Sequence, residues 1–413
     1  MGEDPMVENG AAPLCPLCAR RRPVHKVAMD ADLGVTFSVS DTIGALDRAA
    51  WDSLAPPGAN PFMSWGFLTA LEASGCVGAG SGWAGQHIVA RDAGGALIGA
   101  LPLFRKAHSY GEYVFDHAWA DALHRAGGRY YPKLQAAAPF SPVTGPRFLT
   151  KDPAIARGLI AAAIDLAKQS RASSVHVTFC TDGEQQLLID CGLMARTGVQ
   201  FHWDNAGYRD VAGFLSALSA SKRKTIRRER ERALESGVTI RTLEGRNIDE
   251  AAWDHFFACY MDTGARKWGQ PYLNRRFFSI LSERMGERLV LFQAHFGGRP
   301  IAAALNISGD ETLYGRYWGR LEDVPFLHFE LCYYQAIDYA IRNGLKRVEA
   351  GAQGEHKLLR GYGPVATYSA HWIAHPGLSR AVGDFLAQER PAIAEEIEQL
   401  DQHTPFKKLE TDP

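Results

Sequence analysis

The sequence predicts an α/β (α+β) chain of two tandem units, each with a mixed, mostly antiparallel sheet. Three observations predict it. The chain has 413 residues, 46% of them hydrophobic, which is enough for two cores. Two pieces recur: Ile88–Leu103 resembles Phe292–Ile307, and Ala163–Glu184 resembles Ala336–Glu355. Each repeat reads as a hairpin, then a helix and a strand. That order makes an antiparallel sheet that gains a parallel strand through a crossover helix.

The elements follow in order. Residues 1–34 read as a flexible extension without a signal-type apolar run. Thr36–Ser40 opens the first sheet. Asp41 is expected to cap a helix running through Trp51 to Leu54, ended by Pro56-Pro57-Gly58. Trp65–Ala73 is the next helix. His87–Arg91 and Ala96–Phe104 form a hairpin about Asp92–Gly95. Residues 106–147 read as a long polar and aromatic loop inserted in the first unit, and a loop of that length is usually functional. A helix (Ala154–Ser170), a strand (Val175–Phe179), a helix (Glu184–Cys191) and a strand (Thr197–Trp203) complete the unit, which spans 35–210. Val211–Ser236 reads as one basic linking helix. The second unit, 237–413, holds helices at Glu250–Thr263 and Arg276–Met285 and a meander of Leu289–Phe296, Pro300–Ile307 and Thr312–Trp318. A helix (Phe326–Arg342), a strand at Arg347–Ala350, a strand at Val365–Ile373 and a last helix from Leu378 to Leu400 follow.

Composition excludes several classes. Lys+Arg 45 against Asp+Glu 46 leaves a net charge of -1, so nothing global marks a nucleic-acid binder. No apolar run is long enough to span a membrane. Seven cysteines, unevenly spaced, suit reduced thiols and a cytoplasmic location. Cys15 and Cys18 have half of a zinc-knuckle spacing, but no second pair follows, so no metal is expected.

The chemistry is expected at Arg347–Gly361. A short strand ending at Glu349 and Ala350 runs into Gly351, Gln353 and Gly354, then Glu355, His356, Lys357 and Arg360. Glycines allow positive φ or close approach to a ligand. An acid, an imidazole and two cations beside such a turn can move a proton or hold an anion. A strand ending in a polar surface turn would give the same letters.

The segments Asn60–Gly75, Phe115–Ala122, Tyr130–Leu134, Ser221–Arg230, Arg266–Leu273, Tyr314–Gly319, Leu327–Gln335 and Thr367–Trp372, with the run from Gly344 to Lys357, carry a family likeness. Together they resemble the FemAB-like group of the GNAT superfamily, in its bacterial peptidoglycan biosynthesis/recognition subfamily. The resemblance implies two tandem GNAT-like acyltransferase domains that transfer an acyl or aminoacyl group to an amine by direct attack. The amine substrate would be a small molecule or lipid-linked. The co-substrate would be an acyl-CoA or an aminoacyl-tRNA, with no tightly bound cofactor. Gln353–His356 departs from the glycine-rich loop that holds the CoA pyrophosphate.

On this reading Glu355, His356 and Lys357 are the catalytic candidates. Glu349, Gln353 and Arg360 flank them. Tyr314, Arg316 and Trp318 are expected on one strand face lining the cleft. His328 and Glu330 begin the crossover helix. Asp116, His117, Trp119, Asp121 and Lys133 would shape an acceptor pocket from the long loop. Each could instead be a surface residue or half of a salt bridge. The cations from Lys222 to Arg232 could follow the phosphates of a tRNA, or form a solvated face paired with Glu229, Glu231 and Glu235. The alternative to an enzyme is a non-catalytic binding protein for a cell-wall precursor or related glycan-linked amine.

Overall fold

The computed structural model describes residues 34–407, apart from 236, 267–270 and 352–353. Cys15, Cys18 and Gln353 lie outside the described residues, as does the side chain of Glu355. Among the described residues fourteen strands form in chain order: β1 (Thr36–Ser40), β2 (Trp83–Gly85), β3 (His87–Arg91), β4 (Leu97–Leu101), β5 (Leu103–Lys106), β6 (Lys133–Ala136), β7 (Ser174–Cys180), β8 (Met194–Asp204), β9 (Thr239–Glu244), β10 (Leu289–Phe296), β11 (Arg299–Ser308), β12 (Thr312–Arg320), β13 (Arg347–Glu349) and β14 (Gly363–Ile373).

Eleven of them make one sheet, ordered β2-β5-β6-β7-β14-β8-β13-β12-β11-β10-β9; β1, β3 and β4 make a small second sheet. The two parallel pairings, β6 with β7 and β12 with β13, occupy matching places in the two halves. The expected repeat is present as the hairpins β3–β4 and β10–β11, each followed by a crossover helix and a parallel strand. The last strands are exchanged. β14, from the second half, pairs with β7 of the first, and β8, from the first, pairs with β13 of the second. β14 and β8 also pair with each other, so the sheet is palindromic about its middle.

Helices Trp65–Ser74, Glu250–Arg266 and Arg275–Met285 cover one face. Their caps are local: Ser64 accepts from the Phe67 amide, Gly75 closes its helix at φ 78, and Asn274 accepts from the Phe277 amide. The core beneath mixes the halves, with Phe62, Phe67 and Trp83 packed among Trp253, Phe277 and Leu291. Beside this shared core each half has one that is largely its own, with Ile88, Leu103, Leu159 and Val175 in the first and Phe292, Leu313, Ile337 and Val348 in the second. The opposite face of the second half is covered by the crossover helix and by Phe214 and Ile226.

Three local expectations change. Thr42, not Asp41, caps the first short turn, and Asp47 caps the helix Arg48–Ser53. The loop 106–147 carries a helix, His117–Arg125, and the strand β6. The linking helix is two helices, Val211–Ala217 and Ala220–Leu234. Leu218 is buried and extended between them, bridging to Phe406, and the Ser219 amide donates to the Pro405 carbonyl at 2.9 Å. The chain end thus takes the place of one helical turn.

Strand exchange sets His176 of β7 against His371 of β14, with their Nδ1 atoms 2.7 Å apart. Burial pushes His176 down to about 3 and His371 well below the usual imidazole range. A histidine held neutral in the fold gives its full stability above its unfolded value near 6.5 and loses it as pH falls towards the folded value. The pair's own contribution, read as the difference in urea unfolding between the wild-type chain and a His176→Asn, His371→Asn variant, should therefore be flat above pH ~6.5 and fall below it by up to about 1.4 kcal/mol per pH unit for each histidine. A difference that stays unchanged down to pH ~5 would show that this pair is not held neutral.

Candidate active site

β12 and β13 pair only over Thr312–Tyr314 and Arg347–Glu349 and then part. Gly351 turns the chain away at φ 82. β12 is also bulged: Asn306 pairs with Gly315 and Leu305 with Tyr317, which leaves Arg316 as the extra residue. The bulge resets the alternation. Tyr314 and Tyr317 join the core shared by the halves, while Leu313 and Trp318 join the other. Tyr314, Arg316 and Trp318 therefore do not share one face, because a bulge adds a residue that simple period-two counting omits.

The parting strands hold a buried charge set. Arg316 Nη2 lies 3.4 Å from Glu349 Oε2, and the two side chains are 2% and 4% exposed. Thr144 Oγ1 donates to Glu349 Oε1 at 3.0 Å. The guanidinium of Arg316 lies over Phe62 and Tyr314, and its Nε has no hydrogen-bond partner. Lys357 is buried and donates from Nζ to the Gly351 carbonyl at 2.8 Å. Burial first, and repulsion from Arg316 next, bring its ammonium down to about 7. The turn carrying it, Glu355–Arg360, starts from Gly354 at φ 117, where a Cβ would lie 2.4 Å from the His356 ring.

A cavity of about 100 Å³ opens at the gap, lined by Asn306, Arg316, Trp318, His328, Cys332 and Ala350 among others. One wall is the crossover segment, which widens into a π-type turn at Glu330–Tyr334. His356 is exposed, and its Nε2 lies 2.8 Å from the Tyr333 hydroxyl. A much larger groove, about 1140 Å³, runs between residues 48–66 and 282–314, with Asn60 and Tyr314 on its wall. Several of its charges pair with each other, as in Arg48–Asp52 and Arg288–Asp310. The smaller cavity is the better candidate for chemistry, since it adjoins the buried and only partly satisfied groups.

Glu349, Tyr314, Arg316, Trp318, His328 and Lys357 are thus brought together at the gap. Asp116, Trp119 and Lys133 are not. Lys133 is buried between Glu112 (2.6 Å) and Asp116, and the Tyr130 hydroxyl donates to Asp116 at 2.7 Å. This cluster faces His176, which lies three strands from Glu349 across the sheet and, through the register of β14 and β8, eight residues further along it, about 26 Å in the strand direction. Trp119 packs edge-on against His371; His117 and Asp121 are exposed. Glu330 and Arg360 hold the basic helix. Arg230 bonds Glu330 and Asp338, and Arg360 bonds Glu229 at 2.8 and 3.2 Å while lying over Phe329. Lys224, Arg227, Arg228 and Arg232 remain on the outer side of that helix.

Several residues escaped the sequence reading. Thr144 and Phe140 come from the long loop of the first half and reach the second half's site: the Tyr317 hydroxyl donates to the Phe140 carbonyl at 2.9 Å. His202 faces Glu349 across the exchanged strand pair. Phe62 packs edge-on against Tyr314. Cys332 and Tyr333 lie within the Leu327–Gln335 motif and could have been found there.

The matching place in the first half is closed. Counting from the paired valines, His176 stands where Glu349 does and Thr178 where Gly351 does. The Thr178 carbonyl accepts from Arg147 Nε at 2.8 Å, and the fully buried Arg147 guanidinium also bonds the carbonyls of Gly145, Pro146 and Val143. Arg147 fills the gap that the second half leaves open.

The chain is thus a tandem repeat whose parallel strands part at a candidate site in the second half. The FemAB_like family model, described as peptidoglycan biosynthesis/recognition, matches residues 42–408. The chain belongs to the FemAB-like family. Its fold is similar to the crystal structure of FemX, with a TM-score of 0.53, 12% identity, and coverage of 82% of this chain and 98% of that one. More distant are a tandem GNAT protein from the clavulanic acid biosynthesis pathway (TM-score 0.44, 15% identity, 83% and 99% covered) and the L-PGS of Bacillus licheniformis (0.47, 11%, 77% and 95%). A search of curated sequences finds no match. Among the described residues no helix is long and apolar enough to cross a membrane.

The Glu229–Arg360 pair fastens the site turn to the basic helix. Arg360→Leu alone should cost about 3–5 kcal/mol in urea unfolding, since it strands a buried carboxylate, and Glu229→Leu with Arg360→Leu should recover part of it. Purely additive losses would show that the pair does not fasten the turn.

Proposed function

We propose that the chain is an N-acyltransferase that moves an acyl or aminoacyl group from a thioester or ester donor to an amine, with its reaction centre at the β12–β13 gap. One observation carries the reading: a buried lysine near neutrality stands beside a buried arginine–glutamate pair where two parallel strands part. Direct transfer needs a base, an oxyanion partner and a fixed carbonyl. Lys357, about half uncharged at pH 7, accepts the proton of the attacking amine, directly or through one water. The nitrogen bonds to the carbonyl carbon, the carbonyl oxygen takes the electron pair, and Arg316 stabilises that oxyanion. The carbon–sulfur or carbon–oxygen bond to the carrier then breaks, and Lys357 returns the proton to the leaving group. Glu349, held by Thr144, fixes Arg316.

The family description supports a cell-wall precursor or related molecule as the amine acceptor. The large polar groove that shares Tyr314 with the gap has the size and character for a glycan- or peptide-bearing molecule. Asn60 in its wall donates to the Thr144 carbonyl at 2.9 Å, which joins the groove to Glu349.

The test is a pH profile of amine-dependent thiol release from an acyl thioester. The kcat/KM should rise through about pH 7 and level off above it, as Lys357 loses its proton. Lys357→Arg, which stays charged, should lower activity by about 10²–10⁴-fold and abolish the rise. An unchanged profile in that variant would end the assignment of Lys357 as the base.

A further inference from the structure

The cavity at the gap restricts the group transferred, and this inference rests on the reading above. Its volume is about 100 Å³. A cavity of about 150 Å³ holds a benzene molecule, and a water occupies about 30 Å³. The space here therefore fits a fragment of about four non-hydrogen atoms. Its floor is the packed backbone and side chains of Ala304 and Leu305, both buried, and its side is the Trp318–His328 pair, whose ring centres are 4.7 Å apart. Deepening it would require moving strands in a packed core.

The charge of the lining is equally restrictive. Arg316 is its cation, and none of the described lining residues is acidic. Glu349, the carboxylate that pairs with the lining Arg316, also accepts from Thr144. An ammonium group placed here would meet a guanidinium and find no partner for its charge among these residues. A carbonyl oxygen, in contrast, suits a lining that contains Arg316, whose buried Nε has no hydrogen-bond partner.

We propose that this cavity takes the acyl group itself, and that the group is short and uncharged: a chain of about two to four carbons rather than an amino acid or a long fatty acid. Trp318 sets the size limit. The class of reaction that supplies the donor is then one that activates a small carboxylic acid as a thioester or ester.

The experiment uses carrier-independent donors, the N-acetylcysteamine thioesters of four acids. Acetyl and isobutyryl groups test the fit. Alanyl has the shape of isobutyryl with a methyl replaced by an ammonium, so it tests charge alone. Octanoyl tests length. Binding is read by ligand-observed NMR competition on the full chain, and transfer by amine-dependent thiol release. Acetyl and isobutyryl should bind, with alanyl and octanoyl weaker by about tenfold or more. Trp318→Ala should admit octanoyl and leave alanyl excluded. Alanyl or octanoyl binding as well as acetyl in the wild-type chain overturns the proposal, and so does failure of all four to bind. The wild-type series decides the matter even if Trp318→Ala does not fold. Loss of the acyltransferase reading itself would show differently, as donors that bind with the expected rank yet transfer to no amine.

Discussion

The structure depends on where two parallel strands stop pairing. β12 and β13 run together for three residues each and then separate, which leaves unpaired backbone at the end of a buried strand. Such backbone needs partners. Exchange completes the other edge instead, with β8 of the first half running along β13 at the three residues that also pair with β12, and β14 of the second half running beside β7, so the gap itself stays open. Neither half has a complete sheet without the other. The same arrangement brings Thr144 and Phe140 of the first half's long loop against Glu349 and Tyr317 of the second, and Tyr113 donates to the same Phe140 carbonyl. The site belongs to both halves because the sheet does.

The palindrome of the sheet is not a symmetry of chemistry. Across the pseudo-equivalent positions, His176 faces a buried Lys133–Glu112–Asp116 cluster and Glu349 faces Arg316. In the first half Lys133 donates to Ser109, Glu112 and Asp116, although Glu112 Oε1 and Asp116 Oδ1 keep no hydrogen-bond partner, and Arg147 fills the gap between the strands. In the second half the gap is lined by an arginine with an unbonded Nε and adjoins a lysine pushed towards neutrality. Buried groups left partly satisfied are costly to the fold, and they are retained where a ligand completes them. What differs between the halves is the gap, filled by Arg147 in the first and left as a cavity in the second.

Much of the fold was legible in the residues. The hairpins follow from alternation around Asp92–Gly95 and Gly297–Gly298, and the repeat follows from two segments that read alike. The segment Arg347–Gly361 was marked by its glycines and charges, and Glu349 and Lys357 do lie at the gap. The rest was hidden because it depends on contacts between residues far apart in sequence. Strand exchange leaves no periodic signal, since β8 and β14 look the same whichever neighbour they take. The bulge at Arg316 has no composition of its own. The break at Leu218–Ser219 is made by Pro405 and Phe406, so local helix propensity in 211–236 reads straight through it. Asp116 and Lys133 look like exposed polar residues until their partners, one from each side of the long loop, are seen to neutralise them.

The claim at the centre is that Lys357 is an amine held near neutrality beside the gap. Its direct measurement is the titration of the ε-amine, by NMR of the chain carrying ¹³C-methylated lysines with Lys357 assigned by substitution. A midpoint at about 7, against the usual 10.5, is the expected result. A midpoint in the ordinary lysine range would mean that the residue is solvated and charged, and the gap would then hold no base.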